Sequence, residues 1–181
     1  MLCDSMEKII NCPIYIEDDA GITIRGIRTR SNILKKKFGI RYIVVDYLQL
    51  MQVMEKSGRN RENDISEISR GLKMLAKELQ MPVVALSQLS RQVEQRSDKM
   101  PNLSDLRESG AIEQDADIVV FLMRPEAYDM TTTHFIGGKE YSYIGLAIGK
   151  IAKNRHGSLK NIALQFTGRK MQFSDIEDNS F

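Results

Sequence analysis

Short apolar runs and one long amphipathic repeat set the frame of this chain. Tyr42–Val45 is a run of aromatic and β-branched residues, which suits a strand buried on both faces; Val83–Ser87 reads as a second buried strand and Ile118–Met123 as a third apolar strand. Between the first two, Ile65, Ile68, Leu72, Leu75, Ala76 and Leu79 recur at spacings of three and four, the clearest helical face in the sequence. Asn63 or Asp64 can cap that helix. Strand, helix and strand within about 46 residues predict a βαβ unit with parallel strands and a right-handed crossover. Upstream, Thr23 can cap a helix over roughly Arg25–Phe38, ended by Gly39. Residues 1–12 read as a helix tail stopped by Pro13, and Ile14–Ile16 as a short strand.

The later chain is patterned differently. A polar loop is expected from Glu55 to Asn63, and a long one, charged and rich in loop formers, from Gln88 to Leu106. Loops of the second kind are usually functional or disordered. Residues 124–142, with Gly137 and Gly138, read as a surface excursion. Tyr143–Lys153 and Leu159–Thr167 flank the tight turn Asn154–Ser158 and predict a β-hairpin, with a last short strand at Met171–Phe173. Neither an internal repeat nor a low-complexity linker interrupts the 181 residues, so one α/β domain over 1–181 is expected.

Composition narrows the classes. Hydrophobic residues make up 42% and charged residues 28%, ordinary for a soluble globular chain. A net charge of +2 is too small to attract nucleic acid by bulk charge, so any such binding must come from local clusters. No apolar run is long enough to cross a bilayer and no secretory signal opens the chain, so a cytoplasmic protein is expected. Cys3 and Cys12 form no ligand spacing with His134 or His156 and read as reduced thiols.

Asp46 ends the first strand. A carboxylate at the C-terminal end of a buried parallel strand lies at the mouth of an open sheet, where ligands bind, and can help hold a phosphate-bound Mg²⁺; it can equally cap the next turn. Gln88 follows the second strand and opens on the same edge, where it could orient a water or meet a terminal phosphate. Asp105–Gly110 combines Arg107, Glu108, a hydroxyl and Gly110, which suits a loop gripping a nucleic-acid backbone or a surface turn with an internal ion pair. Lys153 and Arg155 stand at the hairpin tip, where cations either solubilise the turn or reach a neighbouring subunit's nucleotide. A phosphate-cradling G-x-x-x-x-G-K-[ST] is absent: neither Gly138-Lys139 nor Gly149-Lys150 is followed by Ser or Thr.

The stretches Ile43–Met51, Ile65–Leu79, Pro82–Arg91, Asp105–Asp117 and Ile151–Gly157, in order, resemble the C-terminal ATPase domain of DnaB-type replicative DNA helicases. Asp-Tyr-Leu-Gln-Leu and Asp-Leu-Arg-Glu-Ser-Gly-x-Ile-Glu-Gln-Asp-Ala-Asp are highly specific together. The resemblance covers residues from about 10 to about 173. It implies a partial RecA-like P-loop NTPase fold, with a mainly parallel central sheet flanked by helices and a C-terminal antiparallel hairpin. It further implies a hexameric ring that moves 5′ to 3′ on single-stranded DNA using ATP and Mg²⁺, with primase and a helicase loader as partners. On it, Asp46 is the Walker B acid supporting Mg²⁺ and Gln88 the terminal-phosphate sensor. Arg107, Glu108 and Gly110 hold the DNA backbone, and Lys153 and Arg155 are offered to the neighbour's ATP. The family's Walker A loop, catalytic Glu and collar domain would lie before Met1. The chain is therefore expected to be ATPase-deficient alone, with ATP and Mg²⁺ needing the Walker A segment or a neighbouring subunit. A non-catalytic module that binds DNA or a helicase subunit is the alternative.

Overall fold

The computed structural model describes residues 10–53, 60–106 and 110–176. The chain divides into two compact units, Met1–Gln88 and Leu89–Phe181.

In the first unit, α1 (Ile24–Phe38) starts where expected: the Thr23 hydroxyl accepts from the Gly26 N–H at 3.2 Å. It ends at Gly39, whose φ of 65° only glycine adopts freely and whose N–H returns to the Lys35 carbonyl. β1 (Ile43–Val45) leads through a 3-10 turn at Leu48–Leu50 toward α2 (Arg61–Leu79), which buries Ile65, Ile68, Leu72, Leu75 and Leu79. β2 (Val83–Ala85) pairs with β1 in parallel, Ile43 opposite Val83 and Val45 opposite Ala85. The strand–helix–strand unit is thus present.

Three expectations are corrected in this unit. The cap of α2 is not Asn63 or Asp64. The helix starts at Arg61 after Asn60, whose carbonyl accepts the N–H groups of Asn63 and Asp64. Arg61 and Glu62 are good helix formers, and Glu62 and Asp64 favour the positive end of the dipole, so the first turn forms earlier. Ile14–Ile16 is not a strand. It forms no regular element, Ile16 is 89% exposed, and the Ile14 N–H bonds the nearby Cys12 carbonyl; a strand exists only where a neighbouring backbone pairs with it. Nor is β1 covered on both faces: Val45 is buried, while Val44 and Val84 are 55% and 53% exposed. Most of the helix tail expected over 1–12 and of the loop expected at 55–63 lies outside the described residues.

In the second unit, 3-10 turns at Arg91–Gln95 and Leu103–Leu106 punctuate the long loop before a short α3 (Gly110–Asp115). β3 (Ile118–Met123) begins a four-stranded sheet of order β3-β6-β7-β8, with β6 at Leu146–Asn154, β7 at Lys160–Thr167 and β8 at Gln172–Asp175. Every pairing in it is antiparallel. Among the described residues the parallel character expected of the central sheet therefore rests on β1 and β2. β3 is the third apolar strand that was expected, and it packs one face: Val119, Phe121 and Met123 are buried and Ile118, Val120 and Leu122 exposed. An antiparallel sheet is complete with one face packed. The excursion at 124–142 holds a small hairpin, β4 (His134–Ile136) and β5 (Lys139–Tyr141), turned by Gly137 and Gly138, both at positive φ. Met123, Ile136, Leu146 and Ile148 form the core of this unit.

Candidate functional site

Asp46 directly follows β1 and is exposed. Backbone pairing continues past the strands: the Leu86 N–H bonds the Val45 carbonyl and the Leu48 N–H bonds the Leu86 carbonyl, each at 2.9 Å. Asp46 and Gln88 thereby emerge at the same edge of the parallel pair. What holds that edge was not apparent in the sequence. The Gln49 amide donates to the Ser87 hydroxyl at 3.1 Å and to the Gln88 carbonyl at 3.3 Å, and its oxygen accepts the Gln88 N–H at 3.2 Å. Arg61 in turn donates to the Gln49 carbonyl. Gln49 uses both ends of its amide to tie the segment after Asp46 to the segment carrying Gln88. Its place in the Asp-Tyr-Leu-Gln-Leu stretch was the one available signal.

Among the described residues, no group of three or more His, Cys, Asp or Glu side chains could cage a metal. Asp46 offers a single exposed carboxylate. That fits Mg²⁺ held chiefly by phosphate oxygens and water, with one carboxylate in support, and does not fit an ion held by protein alone.

The other expected residues belong to the second unit. Arg107 and Glu108 lie outside the described residues. Gly110 opens α3 and is exposed, and among the described residues a Cβ built there would meet nothing within 4 Å. Among the described residues neither packing nor positive φ requires glycine at this position. Lys153 and Arg155 stand at the end of β6 and in the following turn, which the hairpin register places as expected. Lys153 donates to the Glu113 and Gln114 carbonyls, and Arg155 to the Gln114 carbonyl at 3.1 Å. The Arg155 guanidinium also lies 3.5 Å from the Asp117 carboxylate.

A further charged cluster organises the long loop. Asp105 is only 4% exposed and receives Arg96 in a two-pronged pair at 2.9 and 2.6 Å, together with the Asn102 N–H at 2.7 Å. Arg96 also donates to the Met100 carbonyl, and Lys150 of β6 to the Pro101 carbonyl and the Asn102 side chain. The Arg96 hydrogen bond chiefly holds the Asp105 carboxyl below its ordinary range, against the opposing effect of burial. The sequence predicts a loop here, with an internal ion pair as one reading of Asp105–Gly110, but does not single out Arg96 as the partner of Asp105.

The family profile described as "DnaB-like helicase C terminal domain" matches residues 1–175. The chain is 46% identical over 169 residues to replicative DNA helicase DnaB of Leifsonia xyli, covering 93% of this chain and 35% of that protein. It is 46% identical over 173 residues to replicative DNA helicase DnaC of Bacillus subtilis, covering 96% and 36%. It thus spans about a third of the length of these relatives. Two solved structures superpose with a TM-score of 0.86 at 43% identity and 97% coverage of this chain. One is a DnaB-like replicative helicase described with its interactions with primase, of which 41% is covered; the other is described as an ATPase domain, of which 59% is covered. The fold is accordingly a portion of a RecA-like ATPase domain. Motif order, an Asp46 exposed at the strand edge beside Gln88, and a family match across both units converge: this chain belongs to the DnaB-like helicase C-terminal domain family.

Proposed function

We propose that this chain is the back portion of a replicative DNA helicase motor, which unwinds duplex DNA by ATP-driven 5′-to-3′ movement on single strands as a hexameric ring. The observation that carries it is the edge where Asp46 and Gln88 emerge together, tied by Gln49. We read the two units as parts of one ATPase domain, since the family match runs through both. Asp46 supports the Mg²⁺ of a nucleotide, and Gln88 contacts its terminal phosphate and relays its presence along the segment that follows. Lys153 and Arg155 stabilise phosphate charge on a neighbouring subunit's nucleotide. Arg107, Glu108 and Gly110 hold the DNA backbone. When bound, magnesium–ATP supplies the phosphoryl group whose transfer drives movement. Primase and a loader are the protein partners of such a ring, and the cytoplasm its setting; among the described residues no helix is long and apolar enough to cross a membrane.

A second reading has its own support. No phosphate-cradling motif occurs in the 181 residues, which for the isolated chain favours a non-catalytic module that binds DNA or a helicase subunit. One experiment separates the roles. With Mg²⁺, ATP and single-stranded DNA, the isolated chain is expected to show no turnover above an Asp46→Ala control. It is expected to bind single strands weakly and less well as salt rises. Arg107→Ala should weaken that binding; equal binding by both proteins would remove the DNA assignment. Asp46-dependent turnover would mean that the chain carries a complete site.

A further inference from the structure

Lys153 and Arg155 are engaged within their own chain. Both donate to the Gln114 carbonyl, Lys153 also to the Glu113 carbonyl, and Arg155 faces the Asp117 carboxylate. The Arg155 N–H also bonds the Asp117 carbonyl at 2.9 Å. The Glu113 and Gln114 carbonyls are the end of α3, a helix of six residues, and Asp117 lies two residues beyond it. The last carbonyls of a helix lack intrahelical donors and carry its negative end, so two cations there supply what the backbone lacks. So short a helix does not hold itself in water. Its shape therefore depends on groups that dock on it, and the hairpin tip supplies two.

We propose that the terminal carbonyls of α3 and the Asp117 carboxylate position Lys153 and Arg155, and that a polyphosphate competes with them for these two cations. When phosphate takes the cations, α3 loses its terminal donors and loosens. The inference rests on the reading of Lys153 and Arg155 given under Proposed function, and makes Asp117 a positioning residue.

The test titrates the full chain at low salt with inorganic tripolyphosphate, by calorimetry, and follows amide hydrogen exchange. Asp117→Asn removes a competitor and should tighten tripolyphosphate binding about two- to five-fold, the range expected of an exposed ion pair. A merely structural role for Asp117 would not produce a gain. The Lys153→Ala/Arg155→Ala double variant should lose the binding. Saturating tripolyphosphate should speed exchange through α3, including the Ala116 amide that bonds the Ile112 carbonyl at 3.0 Å, while the Leu146–Ile148 amides stay protected. If the double variant loses binding but Asp117→Asn has no effect and α3 exchange is indifferent, the positioning role is overturned and the phosphate reading stands. If the double variant binds like the parent chain, the phosphate reading falls and the inference with it.

Discussion

Gly110 separates function from folding at a single position. Among the described residues a Cβ there would meet nothing within 4 Å, and alanine is the better helix former. Gly110→Ala should therefore leave the thermal midpoint unchanged or slightly raised. If the open backbone is what DNA approaches, single-strand affinity should fall all the same; unchanged affinity in a polarisation assay would mean that glycine is incidental. Asp105 is the opposite case, a residue whose partners are all internal. Its folded carboxyl titrates lower than its unfolded one, mainly through Arg96. Its ionised form therefore adds stability above the unfolded value, and that contribution is lost as pH falls below about 4 toward the folded value. Arg96→Ala removes the largest cause. The variant should be less stable at neutral pH, and the gap to the parent chain should narrow as the buffer is acidified; a constant gap in denaturant melts would contradict the assignment. An internal ion pair near Asp105 was one reading of the sequence, but Arg96 as its partner was not legible, because an Arg and an Asp nine residues apart in a loop have no periodicity to betray them.

The element scale is where sequence patterning worked best and where one glycine matters most. α1 and α2 were both legible, since each has a repeating apolar face and α1 a cap at Thr23. Their packing was not. At Gly71, inside α2, a Cβ would come within 2.8 Å of Ile24 Cγ1 on α1. Alanine would improve helix propensity, yet the contact is near the root of a branched side chain and cannot simply swing away. Gly71→Ala should cost about 1–3 kcal/mol of stability, the usual penalty of overpacking. A Gly71→Ala protein as stable as its parent in urea would show that the helices can part without loss. The small β4–β5 hairpin escaped notice because three-residue strands are too short to establish alternation, although the paired glycines of its turn were in view.

At the scale of the molecule, each unit presents an apolar sheet face. In the first unit Tyr42, Val44, Val84 and Leu86 are exposed, and in the second Ile118, Val120 and Leu122. A parallel pair is ordinarily covered on both sides, and contiguous apolar surface of this kind promotes association. We expect the native chain to brighten an environment-sensitive apolar dye and to sediment with a weight that rises with concentration. A Val44→Lys/Val84→Lys protein should bind less dye while its far-UV spectrum holds. A monomer at high concentration with no dye signal would show that these faces are satisfied within the chain.

Local chemistry was readable because it is written in adjacent residues. Apolar spacing revealed α1, α2, β1, β2 and the late hairpin, and the strand ends carried Asp46 and Gln88 to one edge. Tertiary structure alone decided which polar groups meet. Gln49 finds Ser87 and Gln88, Lys150 finds Asn102, and Lys153 and Arg155 find the end of α3, each across 38 to 48 residues of chain. Periodicity records which side of an element turns inward, because burial acts on every residue along it. A single hydrogen bond leaves no such trace: its partner is chosen by where the chain returns, and any of several polar residues would have served the pattern equally well.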